Sequence, residues 1–155
     1  MSLRDEIKQT RPFESTGHEA TVALLRTASS VKRSFEALCK QYGVTLQQYN
    51  VLRILRGAGS PLPTMEVADR MVEYEPGVTR LVDRIVAKGL VEKSICKEDA
   101  RRHLCELTDE GSQLLDKMAP VLKALNNKVT SGLSEEDAEK LVVLLADVRS
   151  TLASI

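Results

Sequence analysis

The sequence has no tryptophan and only five other aromatic residues among 155, so its core must be aliphatic. Its three cysteines are too few, and odd in number, for a disulfide framework, and they indicate a reducing, cytoplasmic setting. No apolar run approaches the roughly 18–20 residues of a membrane span. The N-terminal stretch MSLRDEIKQTRPF lacks the apolar segment of a signal peptide. We therefore expect neither a membrane protein nor a secreted one.

Motifs of catalysis and metal binding are also missing. There is no nucleophile elbow, P-loop or HExxH sequence, and local structure explains the acidic pairs at a helix start and a turn. Cys96, His103 and Cys105 are close in sequence, but they lack CxxC spacing and no fourth ligand stands out. We expect no enzyme activity, no cofactor and no metal site.

Helical periodicity accounts for most of the chain. From Glu19 to Tyr42 the apolar residues recur in steps of three and four, which predicts a long amphipathic helix ended by Gly43. Residues 1–16 show no period and are predicted to form a flexible or loosely docked arm. Thr45-Leu46-Gln47-Gln48 resembles a capping box and opens a second helix. Thr64 is the predicted N-cap of a short third helix, and Pro76 the predicted first residue of a fourth, which ends at Gly89.

Two alternating segments follow the fourth helix. Residues 90–96 and 101–108 flank the turn KEDA and predict a two-stranded hairpin. Two further helices are predicted to start at Thr108-Asp109-Glu110 and at Ser134. Two helices joined by a short turn and followed by a hairpin indicate a winged helix-turn-helix. The predicted fold is mainly α with a small β-hairpin wing.

The fourth helix is two-faced. Four apolar residues, Val78, Leu81, Val82 and Ile85, occupy one side, and three cations, Arg80, Arg84 and Lys88, occupy the other. The whole chain has zero net charge, but residues 76–105 hold seven cations and four anions and so carry +3. In a helix-turn-helix this helix enters the major groove, where arginine binds guanine or phosphate. The plainer alternative is a solvated charged face, with Asp83 moderating or orienting the neighbouring arginines.

Four segments carry a resemblance to a known family. They are LQQYNVLRIL (46–55), TMEVADRM (64–71), PGVTRLVDRIVAKGLVEK (76–93) and DARRHLCELTDEG (99–111). The last fits a wing pattern of Asp-x-Arg followed by Leu-Thr-x-x-Gly eight residues after the aspartate. In this order and spacing the chain resembles the MarR family of bacterial winged-helix transcription regulators.

The resemblance implies a homodimer that binds a pseudo-palindromic operator in double-stranded DNA. Within a single domain of residues 1–155, residues 19–42 and 109–152 would form a helical dimerisation lobe and residues 45–108 the DNA-binding lobe. Relatives usually repress transcription and are released by a small, often aromatic or phenolic, effector. The effector site is unknown from sequence, and Tyr49 and Arg53 on the second helix are only guesses.

The resemblance also implies roles for individual residues. Thr64 would lie near a phosphate, Arg101 at the wing tip would reach the minor groove, and Asp99 would brace arginines. One departure is that Glu75-Pro76-Gly77 stands where many relatives have serine or threonine, so Thr79 and Arg80 would read more of the operator. The full expected DNA-binding set is Thr64, Pro76, Gly77, Thr79, Arg80, Arg84, Lys88, Asp99, Arg101 and Arg102.

Two alternatives on the same fold stay open. Cys96 and Cys105 are expected near opposite positions of the hairpin, which suggests a thiol-based redox regulator; the plainer reading is small residues filling a strand, and Cys39 is expected in the core. A winged-helix protein-interaction module without DNA binding should have lost Arg80, Arg84 and Arg101, and all three are present.

Overall fold

The structure is a computed structural model that describes residues 2–154. It is mainly helical with one small three-stranded antiparallel sheet, which confirms the predicted fold class. The chain forms two compact units, one ending at Leu115 and the other beginning at Asp116. The elements in order are α1 (Leu3–Glu6), α2 (Thr16–Gln41), α3 (Leu46–Ala58), β1 (Leu62–Pro63), α4 (Thr64–Asp69), α5 (Val78–Ala87), β2 (Val91–Ile95), β3 (His103–Leu107), α6 (Asp109–Thr130) and α7 (Glu135–Leu152).

The N-terminal segment is more ordered than its sequence predicts. A short helix, α1, begins after Ser2, whose hydroxyl accepts from the Asp5 backbone while the Asp5 carboxylate accepts from Ser2. These hydrogen bonds hold the pKa of Asp5 below its usual value. The prediction of an arm without a period was therefore wrong at residues 3–6, because one helical turn is too short to show a period but long enough for a capping box.

Helix α2 begins earlier than predicted and ends where predicted. Ser15 caps it by accepting from the His18 backbone N–H at 3.1 Å, so the helix starts at Thr16. At the other end Gly43 has a positive φ of 73°, which terminates the helix without strain. The predicted capping box at the start of α3 is confirmed: Thr45 and Gln48 each bind the other's backbone N–H at 3.1 Å.

Two predicted helix starts were wrong. Thr64 is the first residue of α4 and Pro63 its N-cap, because the chain stays extended through Pro63 as strand β1. This strand pairs with β3 through Leu62↔Cys105 and Pro63↔Leu104. Similarly, α5 begins at Val78, and Pro76 lies in the preceding turn. Gly77 is the N-cap there, and its backbone N–H donates to the Glu75 carboxylate at 3.2 Å.

The predicted hairpin is confirmed, with shorter strands than expected. Strands β2 and β3 pair antiparallel from Val91↔Leu107 to Ile95↔His103. The sheet order is β1-β3-β2. The two residues of β1 were not predicted as a strand, because alternation needs a longer run to be recognised.

An aliphatic core holds the first unit together. The predicted inner face of α5 is buried as expected, with Val82 and Ile85 at 0 % exposure. It packs with residues from α3, α4, the sheet and the start of α6, and aromatic side chains contribute only through the half-buried Tyr49. The buried cluster consists of Val51, Leu52, Ile54, Leu55, Leu62, Val67, Val78, Leu81, Val82, Ile85, Val91, Cys105 and Leu115.

The Leu-Thr-x-x-Gly stretch joins the wing to α6 by close backbone contact. The Thr108 hydroxyl donates to the Gly89 carbonyl at 2.7 Å and accepts from the Gly111 backbone N–H at 3.1 Å. A Cβ at Gly111 would overlap the Leu90 carbonyl and lie 2.8 Å from Leu107 Cδ1. Only glycine therefore fits at this position, the third residue of α6.

The second unit contains the rest of α6 and the capped helix α7. Ser134 caps α7 by accepting from the Asp137 backbone N–H at 3.1 Å. Large apolar side chains on α7 are exposed, from 42 % at Leu141 to 65 % at Val142. Among residues 2–154, no helix is both long and apolar enough to cross a membrane.

Replacing Gly111 with alanine should lower the free energy of unfolding by about 1–3 kcal/mol, the usual cost of forcing an extra methyl into a packed site. The matched control is Gly57→Ala in helix α3, where a Cβ meets nothing within 4 Å and alanine should stabilise by about 0.5–1 kcal/mol. Urea denaturation of both variants at one protein concentration measures the difference. Equal midpoints would show that the Leu90–Gly111 contact is not close.

Candidate nucleic-acid interface

The outer face of α5 presents the predicted cations and hydroxyl to solvent. Thr79, Arg80 and Arg84 are all exposed, while the opposite side of the helix is buried. This division follows from the sequence period, because residues three or four apart share one side of a helix. An exposed arginine pair one turn apart suits the bidentate acceptors of guanine and the oxygens of phosphate.

The amino end of α5 is occupied by the chain's own carboxylate. Glu75 Oε1 accepts from the Gly77 N–H, and Pro76 beside it is exposed and has no N–H to offer. A carboxylate is favourable at the positive end of a helix. The backbone N–H of Gly77 is thus already paired, which reduces what Pro76 and Gly77 can donate to a nucleic acid.

The turn of the wing is shaped by Asp99. Its carboxylate accepts from the Arg101 backbone N–H at 3.0 Å, and its carbonyl accepts from the Arg102 N–H at 2.9 Å. The Cys96 N–H donates to the Arg102 carbonyl at 2.9 Å and closes the loop. The expected bracing by Asp99 therefore acts on the backbone that carries Arg101 and Arg102, whose side chains are both exposed.

A groove of about 460 Å³ lies between α4, α5 and the wing. It brings together four of the predicted DNA-binding residues from three separate elements. They are Thr64, Thr79, Arg101 and Arg102, joined by Pro63, Met65, Glu66, Asp69, Lys93 and His103.

Lys93 and His103 were not among the predicted site residues. Strand alternation places both on the face that carries Cys105, since Lys93 pairs with Cys105 and His103 is two residues away. The alternation is visible in the sequence, but it identifies Lys93 and His103 as groove residues only once β3 is known to face α4.

An ion pair links α5 to the wing. Lys93 Nζ lies 2.8 Å from Asp83 Oδ1, and the Lys93 side chain is only 20 % exposed. Asp83 was expected beside Arg80 and Arg84, but its partner is a lysine on β2. Both α5 arginines are exposed, and the Asp83–Lys93 pair connects the hairpin to the helix.

The side-chain polar groups of Thr64 and Lys88 hydrogen-bond within the protein, although Thr64 also lines the groove. The Thr64 hydroxyl lies 3.3 Å from Cys105 Sγ and donates to the His103 carbonyl at 3.5 Å, so it faces the sheet. Lys88 Nζ donates to the Gly43 carbonyl at 2.6 Å and to Gln48 Oε1 at 2.9 Å. The ammonium of Lys88 therefore does not line the groove.

The cysteines are not arranged as a cross-strand pair. Cys105 pairs with Lys93, whereas the Cys96 backbone hydrogen-bonds to Arg102 beyond the last strand pair. The expectation that the two cysteines lie opposite each other was therefore wrong by three positions. Cys39 and Cys105 are fully buried, as expected for Cys39, and burial raises the pKa of the Cys39 thiol. Among residues 2–154, no three His, Cys, Asp or Glu side chains are grouped to hold a metal ion.

The two guessed effector residues differ in environment. Tyr49 is half-buried against the core, and this burial raises the pKa of its hydroxyl, an effect that the nearby charge of Arg53 opposes. Arg53 is exposed. Neither observation assigns a ligand.

Thiol accessibility should separate the three cysteines. Cys96 is half-buried and should react first with a thiol reagent at neutral pH, while Cys39 and Cys105 should react only on unfolding. Mass mapping of alkylated peptides over time measures this order, and Cys96→Ser should remove the fast phase. Rapid labelling of Cys105 in the folded protein would contradict the burial described here.

Comparison with known proteins finds relatives of this chain. Residues 42–102, which run from the end of α2 into the wing, match the sequence profile of the MarR family. The HTH-type transcriptional regulator YkoM of Bacillus subtilis is 28 % identical over 106 residues, which cover 68 % of each chain.

Solved structures extend the match over nearly the whole chain. The MarR transcription factor of Planctomyces limnophilus is 31 % identical, covers 87 % of this chain and 98 % of its own, and superposes with a TM-score of 0.67. AbsC of Streptomyces coelicolor, at 20 % identity, shares the fold with a TM-score of 0.82 over 94 % of this chain and 100 % of its own. The chain belongs to the MarR family of DNA-binding transcriptional regulators, which are not enzymes.

Proposed function

We propose that this regulator is a homodimeric repressor that binds a pseudo-palindromic operator and is released by a small, often aromatic or phenolic, effector. The observation that carries the proposal is the groove between α4, α5 and the wing. It brings Thr79 of α5 and Arg101 and Arg102 of the wing around one space. Such a convergence suits a duplex that lies across both elements.

In the major groove, Thr79, Arg80 and Arg84 carry the contacts. Each side chain is exposed on one side of α5, and arginine can bind guanine O6 and N7 together. Pro76 and Gly77 allow close approach of the backbone without reading a base. This division is supported by the Glu75 carboxylate, which already accepts from the Gly77 N–H.

The groove suits the DNA backbone that runs between a major and a minor groove. Arg102 and His103 supply positive charge or donors along it, and Thr64 lies at its α4 side. Arg101, on the turn shaped by Asp99, extends into the minor groove, where narrow A·T tracts attract arginine. Lys93 was not in the predicted set, and its pairing with Asp83 supports a role in holding the wing at the helix.

A second copy of the chain explains the exposed apolar side chains of the second unit. Contiguous exposed apolar surface in a monomer usually marks an interface. Helix α7 carries Leu141, Leu144, Val148 and Leu152 along one side, with exposures between 42 % and 62 %. In the proposed dimer, α2, α6 and α7 contribute dimerisation surface and residues 45–108 bind DNA, with half-sites about 34 Å apart.

An effector would act by favouring a dimer conformation whose recognition helices no longer match the half-site spacing. Thiol-based sensing receives no support from Cys105, which is buried and does not lie opposite Cys96.

Selection of bound fragments from random duplex DNA tests the proposal. We expect a two-fold related motif whose half-site centres are about 10 base pairs apart, the spacing that places both α5 helices on one face of the duplex. A promoter carrying this motif should be silenced by the protein in a reporter assay. Enrichment of no motif, or of one without two-fold symmetry, would count against the operator and the dimer respectively.

Replacing Arg101 with alanine should weaken operator binding by about 1–3 kcal/mol, the scale of a specific contact. The loss should be concentrated at A·T positions flanking the half-sites. Arg11→Ala, which removes an exposed charge from the segment before α2, is the matched control and should bind normally. Equal affinities of the two variants, measured by fluorescence anisotropy at one salt concentration, would mean that the wing does not engage DNA.

A further inference from the structure

We propose that Lys88 is a positioning residue: it contacts no phosphate and instead fixes the carboxyl end of α5 to the junction between α2 and α3. This inference rests on the proposed operator contacts of α5. The sequence alone places Lys88 in one stripe with Arg80 and Arg84, eight and four residues earlier. The contacts of its ammonium give it a different role.

Lys88 follows the last helical residue of α5 and caps that end of the helix. Its Nζ donates to the Gly43 carbonyl at 2.6 Å and to Gln48 Oε1 at 2.9 Å. Gly43 ends the turn after α2, and Gln48 lies in the first turn of α3. One side chain therefore links the carboxyl end of α5 to the junction after α2 and to the first turn of α3. It uses two of its three N–H donors to do so.

The acceptor on α3 is itself rigidly held. Gln48 is only 5 % exposed, and its side-chain oxygen also accepts from the Thr45 backbone N–H at 3.1 Å. Both acceptor positions of this oxygen are then filled by donors from the protein. A side chain fixed in this way provides a stable anchor for a charged donor, and charged donors make the stronger hydrogen bonds.

The turn that enters α5 is attached to the same two helices. The Val72 N–H donates to Oδ1 of Asn50, a residue of α3 that is 6 % exposed, at 2.8 Å. Glu73 pairs with Lys32 of α2 at 2.9 Å, and this pairing raises the pKa of Lys32. The segments at both ends of α5 are thus held to α2 and α3 by hydrogen bonds and an ion pair. Lys88 supplies the hydrogen bonds at the carboxyl end.

Position along the helix also separates Lys88 from Arg80 and Arg84, the residues proposed to contact bases. Arg80 lies eight residues nearer the amino end, a separation of about 12 Å along the axis of a helix. If the carboxyl end is released, α5 can tilt, and the tilt moves Arg80 and Arg84 away from base edges that need exact hydrogen-bond geometry. Binding by charge alone tolerates such a tilt, because phosphates line the whole duplex.

The test compares three variants that each remove one positive charge: Lys88→Gln, Arg84→Gln and Arg11→Gln, the last an exposed arginine before α2. Affinity is measured for the selected operator and for a non-operator duplex of equal length over a range of salt concentrations. We expect Lys88→Gln to lose about tenfold in operator affinity, as for lost hydrogen bonds from a charged group. Its salt slope and its non-operator affinity should match those of Arg11→Gln.

A phosphate contact would give a different result. A dimer that loses two such contacts should show a salt slope smaller by about two units, as we expect for Arg84→Gln. A reduced slope for Lys88→Gln, or equal losses on operator and non-operator DNA, would overturn the proposal. Gln48→Met is a second probe, since it removes an acceptor of Lys88 without changing charge, and it should also lower the ratio of operator to non-operator affinity.

Hydrogen exchange of the DNA-free protein makes the test independent of the operator. Amides of residues 84–90 should exchange about tenfold faster in Lys88→Gln than in the wild type, because local opening becomes less costly. Arg84→Gln should leave them unchanged. Unchanged exchange in Lys88→Gln overturns the positioning role, whereas a failure to find any operator while exchange responds as expected would overturn only the proposed function.

Discussion

Burial of the apolar side of α5 is the constraint on which the core of the first unit depends. Val78, Leu81, Val82 and Ile85 are the part of this helix that the core can accept, and their burial forces Thr79, Arg80 and Arg84 to the surface. With almost no aromatic area available, the core gains its stability from many small aliphatic contacts. The exposed face of α5 is thus a consequence of packing, and its cations need no separate structural cause.

Orientation of that helix depends on a few polar contacts around the core. Asp83 and Lys93 join it to the wing, and Lys88 joins its carboxyl end to α2 and α3. Apolar packing alone permits small rotations, whereas a charged hydrogen bond to a fixed acceptor restricts direction. A DNA-binding helix needs this restriction, because base edges are read by geometry and phosphates mainly by charge.

The wing is likewise held by contacts of residues that can be recognised in the sequence. Asp99 shapes its turn through backbone hydrogen bonds, and Thr108 and Gly111 attach its base to α6 where no side chain fits. The Asp-x-Arg and Leu-Thr-x-x-Gly patterns therefore mark the two ends at which the hairpin is held. None of the residues of helix α7, Glu135–Leu152, is buried, and in the proposed dimer a second chain covers its exposed leucines and valines.

Periodicity, capping residues and a spaced set of motifs were enough to predict helices α2 to α7, the hairpin, the two-faced character of α5 and the family. Tertiary structure decided which polar groups meet. Lys88 and Asp83 look like members of an α5 charge pattern, yet their partners lie 45 and 10 residues away on other elements. Strand β1, the true start of α4 and the offset of Cys96 from Cys105 likewise depend on sheet register, which is set by long-range packing and leaves little local signal.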